Sequence, residues 1–219
     1  MEKQLFFDIE EQPSFDLQDF IVSSSNQIAY DYIQKWPEWS GNLIFLVGES
    51  GVGKTHLANI WLKKANGIKL DEKNIDSDYI KMNQNILIED FDNIKYDLTS
   101  LFHIINAIKE KNGYIIFTCR EKPANLDIAL PDLSSRLRSA TPIFIDKPDD
   151  SLLEAIIIKL FSDKKIIIDS RVTSYIIQRV NRSVPEIIRL INNINYKSME
   201  EKRGVTIPLV NKVFKEMDI

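Results

Sequence analysis

Gly48-Glu49-Ser50-Gly51-Val52-Gly53-Lys54-Thr55 matches the phosphate-binding loop pattern G-x-x-x-x-G-K-[ST] without a gap. The flanking residues agree with it. Leu43 to Val47 is an unbroken apolar run, as a strand buried on both faces requires. From Thr55 to Lys64 the apolar residues Leu57, Ala58, Trp61 and Leu62 fall at helical spacing. Strand, glycine-rich turn and helix start is the context in which such a loop grips phosphate. Gly48, Gly51 and Gly53 allow backbone conformations and close approaches that a Cβ blocks. Backbone N–H groups and the positive end of the helix then face an anion. In this pattern Lys54 reaches the β- and γ-phosphates, and the Thr55 hydroxyl is a magnesium ligand.

Downstream, Ile86-Leu87-Ile88-Glu89-Asp90 reads as a second buried strand that ends in acids. Next to a phosphate loop, such a strand delivers one carboxylate to magnesium and one to the attacking water. Glu89 takes the metal position and Asp90 the water-polarising one. The usual metal acid is Asp, so Glu89 is longer by one methylene. Leu98 to Lys111 reads as an amphipathic helix with Leu98, Leu101, Phe102, Ile105 and Ile108 inward, His103 off that stripe, and Gly113 as terminator. Tyr114 to Thr118 is a third strand. Thr118 and Arg120 at its end either contact a γ-phosphate, or Thr118 caps the turn. Leu130 to Arg138 reads as a short helix opened by Pro131 and Asp132, and Ile143 to Ile145 as the next strand.

Beyond Pro148-Asp149-Asp150 the strand pattern stops. Residues 151–161, 170–180, 184–201 and 207–217 read as four helices, and Ser183-Val184-Pro185-Glu186 as a capping box. Ahead of the loop, Ser23 to Asn26 supplies cap candidates for a helix carrying Ile28, Ala29, Tyr32 and Ile33, which stops before Pro37. Trp36 and Trp39 read as hydrophobic plugs. The expected architecture is α/β with a parallel sheet over residues 15–148, then an all-α unit over 149–219. Residues 1–14 stand outside that core. There, Leu5, Phe7 and Ile9 with Gln4 form either a strap over the molecule's own apolar edge or a linear motif for a partner's pocket.

The 219 residues suffice for one sizeable core plus a small appended unit. A net charge of −4 argues against a broad nucleic-acid footprint. Cys119 is the single cysteine, which excludes an internal disulfide and suits a reducing compartment. The first residues are too charged for a secretory leader, and no apolar run reaches the ~18 residues of a membrane span. The expected location is cytoplasmic.

A phosphate-loop core followed by a helical lid resembles an AAA+ module, and the detail resembles the replication initiator DnaA and its relatives. Residues 15–27, with Ile21 and Asn26, resemble the segment that packs over adenine. Gly51-Val52-Gly53-Lys54-Thr55-His56-Leu57 is written as the DnaA relatives write it. Ala129-Leu130-Pro131-Asp132-Leu133-Ser134-Ser135-Arg136-Leu137 resembles the arginine-finger helix of the Hda-type regulators, and residues 205–210 resemble their last helix. Arg136 is then the finger. The resemblance also implies that Gln4, Leu5, Phe7 and Ile9 bind the sliding clamp of the DNA polymerase. A single such peptide binds weakly, and several copies on a ring gain by avidity. With the sequence ending at Ile219 and a short connection between the loop helix and Glu89, the resemblance implies that the initiator's DNA-binding domain and its single-strand-gripping insertion are both missing, so the expectation is a regulator and not an initiator. The lid position where the family carries a phosphate-sensing arginine holds Pro185, flanked by Arg182 and Arg189.

The implied function is an Hda-type regulator that uses ADP or ATP and Mg2+. On the clamp it would promote ATP hydrolysis by DnaA through Arg136, with little direct nucleic-acid contact and at most weak hydrolysis of its own. A homodimer or higher oligomer is compatible. Two rivals stand beside it: an autonomous ATPase or helicase-loading motor in which Lys54, Thr55, Glu89 and Asp90 do the chemistry, and an adaptor whose nucleotide is structural.

Overall fold

The computed structural model describes residues 15–70, 83–93 and 97–218. The peptide at residues 4–9 and the connection at 71–82 lie outside the described residues. The elements of the first unit are α1 (Gln27–Gln34), β1 (Leu43–Val47), α2 (Lys54–Lys64), β2 (Ile68–Lys69), β3 (Asn85–Ile88), α3 (Leu98–Glu110), β4 (Tyr114–Cys119), α4 (Pro131–Arg138) and β5 (Thr141–Phe144). The second unit contains α5 (Asp150–Asp163), α6 (Ser170–Ile177), α7 (Val184–Glu200) and α8 (Ile207–Glu216).

The strands form one five-stranded sheet in the order β2-β3-β4-β1-β5. Every neighbouring pair is parallel, with Phe45 of β1 between Phe117 and Pro142. Alternation along the strands sends side chains to two separate cores. Leu43, Phe45 and Val47 join Ile86, Ile88, Ile115 and Phe117 under α3 and α4. Ile44 and Leu46 join Leu87 and Ile116 under α1 and α2. This is why β1 is buried at every position and reads as an unbroken apolar run. Phe45 and Phe117 stack at 4.6 Å with Phe91 edge-on at 4.9 Å on the first face. Trp39 stacks between Tyr32 and Trp61 on the second, so it plugs the core as expected.

The helices after residue 149 bury a third cluster of their own, with Leu153, Ile157, Phe161, Ile187, Leu190, Ile191 and Phe214 at its centre. Several expected boundaries move. The last strand runs from Thr141 to Phe144 and not from 143 to 145, α6 ends at Ile177, and Ile104 joins the buried stripe of α3. The Ser183–Glu186 capping box does not form: Ser183 caps α7 without a side-chain bond. At α1 the cap is Asn26, but its side chain turns backward, accepting from Ser23 N–H at 2.9 Å and donating to the Ile21 carbonyl at 2.9 Å.

Gly113 ends α3 for a reason other than a left-handed turn. That conformation falls on Asn112, at φ 54°. A Cβ on Gly113 would lie 1.9 Å from the Gln84 carbonyl oxygen at the start of β3. Gly113→Ala is therefore expected to lower stability by about 1–3 kcal/mol through overpacking. Gly204→Ala, whose Cβ meets open space, should leave it unchanged or slightly raised. Urea unfolding of the two variants checks both signs.

Candidate functional site

All the strands run the same way, so their carboxyl ends meet at one edge of the sheet. Residues 48–55 follow β1, Glu89 and Asp90 follow β3, Arg120 follows β4, and Ile145 to Lys147 follow β5. The loop is tied into that edge. Gly48 N–H donates to the Cys119 carbonyl at 3.1 Å, and a Cβ there would lie 2.5 Å from the Ile145 carbonyl oxygen. Gly51 and Gly53 carry φ of 80° and 100°, the left-handed values that glycine tolerates. Val52 is buried beneath them in the second core.

Lys54 is only 7% exposed, and its ammonium donates to the Gly48 and Glu49 carbonyls at 2.8 Å each. Burial lowers its pKa, and the nearby Asp90 charge opposes that shift. Thr55 is exposed at the N-terminus of α2. Asn59, one turn on, donates to the Thr55 carbonyl at 2.7 Å and lies 3.5 Å from Glu89 Oε1. The other Glu89 oxygen is ion-paired with Lys69 of β2. Asp90 is exposed and left-handed, at φ 49°. Its N–H donates at 3.0 Å to Thr118 Oγ1, which is fully buried. Of the two readings of Thr118, the hydroxyl serves the turn. Asp92 accepts from the Arg120 and Glu121 N–H groups at 2.5 and 3.3 Å.

The segment ahead of α1 runs along α2. His56 Nε2 lies 3.2 Å from the Asp16 carbonyl oxygen, and the ring meets Phe15 and Phe20 edge-on at 5.7 and 5.2 Å. Burial pushes the His56 pKa down. Asp16 pairs with Lys63 of α2, and Asp19 with Lys159 of α5, so this segment bridges core and lid. Ile21 is half-buried and Asn26 buried on it. A further cleft of about 500 Å³, lined by Gly48, Arg120, Lys122, Phe144 and Lys147 among others, opens on the β5 side of the loop.

The lid closes directly on the loop. Val184 N–H donates to the Gly51 carbonyl at 3.0 Å, and a Cβ on Gly51 would lie 2.5 Å from Ser183 Oγ and 2.9 Å from Pro185 Cδ. That docking explains the absent capping box: the Ser183 hydroxyl faces the loop. Arg182 is turned away, bonded to the Pro148 carbonyl at 3.0 Å and Asp150 at 2.5 Å, so it does not take the role of the missing lid arginine. Arg189 is exposed one turn beyond Pro185 on the same helix face. Arg136 is half-buried on α4. Its guanidinium rests 5.0 Å from the Phe102 ring centre, and no carboxylate pairs with it among the described residues.

These residues suit a nucleoside phosphate: left-handed glycines, a buried ammonium on the loop, and an open helix N-terminus. For magnesium, the Thr55 hydroxyl and Asp90 are accessible and Glu89 is engaged by Lys69. No group of three or more His, Cys, Asp or Glu side chains among the described residues is placed to hold a metal by itself. Magnesium bound with substrate phosphates needs only one or two carboxylates. Sequence reasoning missed Lys69, Asn59 and Asp92, and the contact of Phe102 with Arg136, because each depends on a neighbour distant in the chain.

Comparison with known proteins gives a consistent picture. A family model described as Hda, lid domain, matches residues 154–214, and one described as Bacterial DnaA ATPase domain matches residues 11–85. The chain is 29% identical, over an alignment 242 positions long including gaps, to the chromosomal replication initiator protein DnaA of Buchnera aphidicola subsp. Baizongia pistaciae, covering 97% of this chain and 53% of that protein. It spans about half the length of the curated relatives it matches. Domain III of the Thermotoga maritima replication initiation protein DnaA superposes with a TM-score of 0.79 at 16% identity, covering 94% of this chain and 97% of that one. AMPPCP-bound DnaA from Aquifex aeolicus superposes with a TM-score of 0.73 at 23% identity, covering 86% and 67%. No helix among the described residues is long and apolar enough to cross a membrane.

Removing the Lys54 ammonium strands two loop carbonyls even with no ligand present. Lys54→Met is expected to lower the stability of the free protein by about 1–3 kcal/mol, and to abolish any rise in melting temperature on adding ADP. Thermal melts with and without ADP read both. His56 titrates below its ordinary value of 6.5, so between the two values the unfolded chain binds the extra proton. The stability His56 contributes is therefore complete above pH 6.5 and is lost as pH falls through its depressed value. An NMR titration of the imidazole should show the lowered midpoint, and His56→Gln should flatten the corresponding limb of the stability–pH curve.

Proposed function

We propose, because the chain is a DnaA-related AAA+ protein with a lid of the Hda type, that it is a nucleotide-binding regulator of replication initiation. In this reading it stimulates hydrolysis of DnaA-bound ATP while tethered to the DNA polymerase sliding clamp. Residues 1–14 are the tether, with Gln4, Leu5, Phe7 and Ile9 entering the clamp. Residues 15–148 are the nucleotide-binding body and 149–219 the lid. ADP or ATP would be held by Gly48, Gly51, Val52, Gly53, Lys54 and Thr55. Ile21, Asn26 and His56 would line the base side and Arg189 the phosphate side, with Thr118 acting only through the Asp90 turn that it holds. The likeness to DnaA from Aquifex aeolicus in its AMPPCP-bound form supports a nucleotide at this loop. A magnesium ion would supply charge neutralisation at the phosphates, held by Thr55 and by Glu89 only when that carboxylate is released from Lys69.

The observation that carries the regulatory reading is Arg136. Leu133 and Leu137 anchor α4 in the core, fully buried, and Arg136 lies half-buried at the flank of that stripe, over Phe102 of α3. The guanidinium lies on a ring face, and no carboxylate pairs with it among the described residues. Such a group is available to a neighbour's γ-phosphate, and fingers supplied in trans contribute on the order of 10³ to 10⁵ in rate. An autonomous motor has less support, since Glu89 is paired with Lys69.

The test is conversion of DnaA-bound ATP to ADP, with this protein added in the presence and absence of clamp on DNA. Stimulation should require all components. Arg136→Ala should fold and bind ADP normally yet lose at least about a hundredfold of the stimulation, given the contribution of such fingers. Normal stimulation by that variant would sink the mechanism.

A further inference from the structure

The parallel register of β2 and β3 sets Ile68 opposite Ile86 and Lys69 opposite Leu87. Side chains alternate along a strand, so Lys69, Leu87 and Glu89 share one face, the one that lies under α2. Lys69 and Glu89 are then diagonal neighbours, a spacing of about 7–8 Å that long side chains bridge. They do so: Lys69 Nζ is ion-paired with Glu89 Oε2. The Glu89 side chain is 12% exposed and that of Lys69 52% exposed, so the ammonium reaches in from the rim to a carboxylate that is mostly enclosed. Asn59 Nδ2 stands 3.5 Å from the other oxygen while donating at 2.7 Å to the Thr55 carbonyl. The extra methylene of Glu89 gives the carboxylate the reach to turn along the sheet toward β2.

We propose that Lys69 holds the Glu89 carboxylate away from the metal position, so that this chain keeps its nucleotide with little help from magnesium. The proposal rests on the nucleotide reading of the loop and deepens it. A largely enclosed carboxylate satisfies one cation at a time. With an ammonium already on it, a dication beside Thr55 gains less from Glu89 and meets a like charge. Lys54 and the loop backbone then carry most of the phosphate affinity. Lys69 acts through Glu89 and is a positioning residue.

The experiment is calorimetric titration of the full chain with ADP, once in magnesium and once in EDTA. The wild type, Lys69→Met, Lys69→Arg and Lys69→Met/Glu89→Gln are compared, with melting curves confirming that each variant folds. In the wild type the two affinities should agree within about threefold. In Lys69→Met the magnesium-dependent ratio should grow about three- to fivefold over the wild-type ratio, the factor a partly exposed ion pair commands. Lys69→Arg should behave as wild type, and the double variant should return to the wild-type ratio. An unchanged ratio in Lys69→Met, or a wild-type ratio already beyond tenfold, overturns the proposal while leaving the nucleotide reading intact. Absence of ADP binding by the wild type in both buffers overturns the nucleotide reading and this proposal together.

Discussion

A sheet covered on both faces leaves its polar chemistry one place to go. Every strand of this molecule between β2 and β5 is parallel, and the two apolar clusters take the side chains of β1, β3 and β4 alternately above and below. The charged and hydroxyl groups therefore collect where the strands stop, at the carboxyl edge, in the manner of open α/β sheets. Gly48 shows how tight that edge is: its N–H is bonded to the end of β4 and its Cα lies against the Ile145 carbonyl beyond β5. The loop is thus held by the two strands that flank β1, and the positions of Lys54 and Thr55 follow from that hold.

The lid is coupled to the same edge by backbone and charge more than by apolar packing. Its own core is separate, yet α7 begins on the Gly51 carbonyl, Asp149 at the head of α5 accepts from Ser24 at 2.8 Å, and Asp19 meets Lys159. Asp149 also accepts from Ser151 and Leu152, and these bonds hold its carboxyl well below the usual carboxylate range. The segment of residues 15–26 therefore links α2 and α5, through the Phe15 and Phe20 rings on His56 and through its Asp and Ser side chains. Contacts of this kind, several of them exposed, are individually weak and exchange readily with solvent or ligand.

The loop, the buried strands, the acids after β3 and the helical character beyond residue 148 were legible in the residue pattern, because each is a local signal: glycine spacing, apolar runs, 3.6-residue periodicity. The Ser183–Glu186 capping box was a false local signal. Its residues fit the motif, but the contact of α7 with Gly51 claims the serine's surroundings. Gly113 was read as a terminator and is one. The physical requirement on it comes from Gln84, which lies 29 positions earlier in the chain.

By itself the order of residues determined the strand–loop–helix unit, the class of the fold and the identity of the groups that could face a phosphate, since these follow from backbone conformation and from periodicity within one element. Only the tertiary structure decided how those groups are disposed: Glu89 turned to Lys69, Thr118 spent on the Asp90 N–H, Arg182 fastened to Asp150 and Arg136 laid on Phe102. The reason is that a side chain's partner is set by sheet register and by helix docking. Both bring together residues tens of positions apart, and neither leaves a periodic trace in the chain.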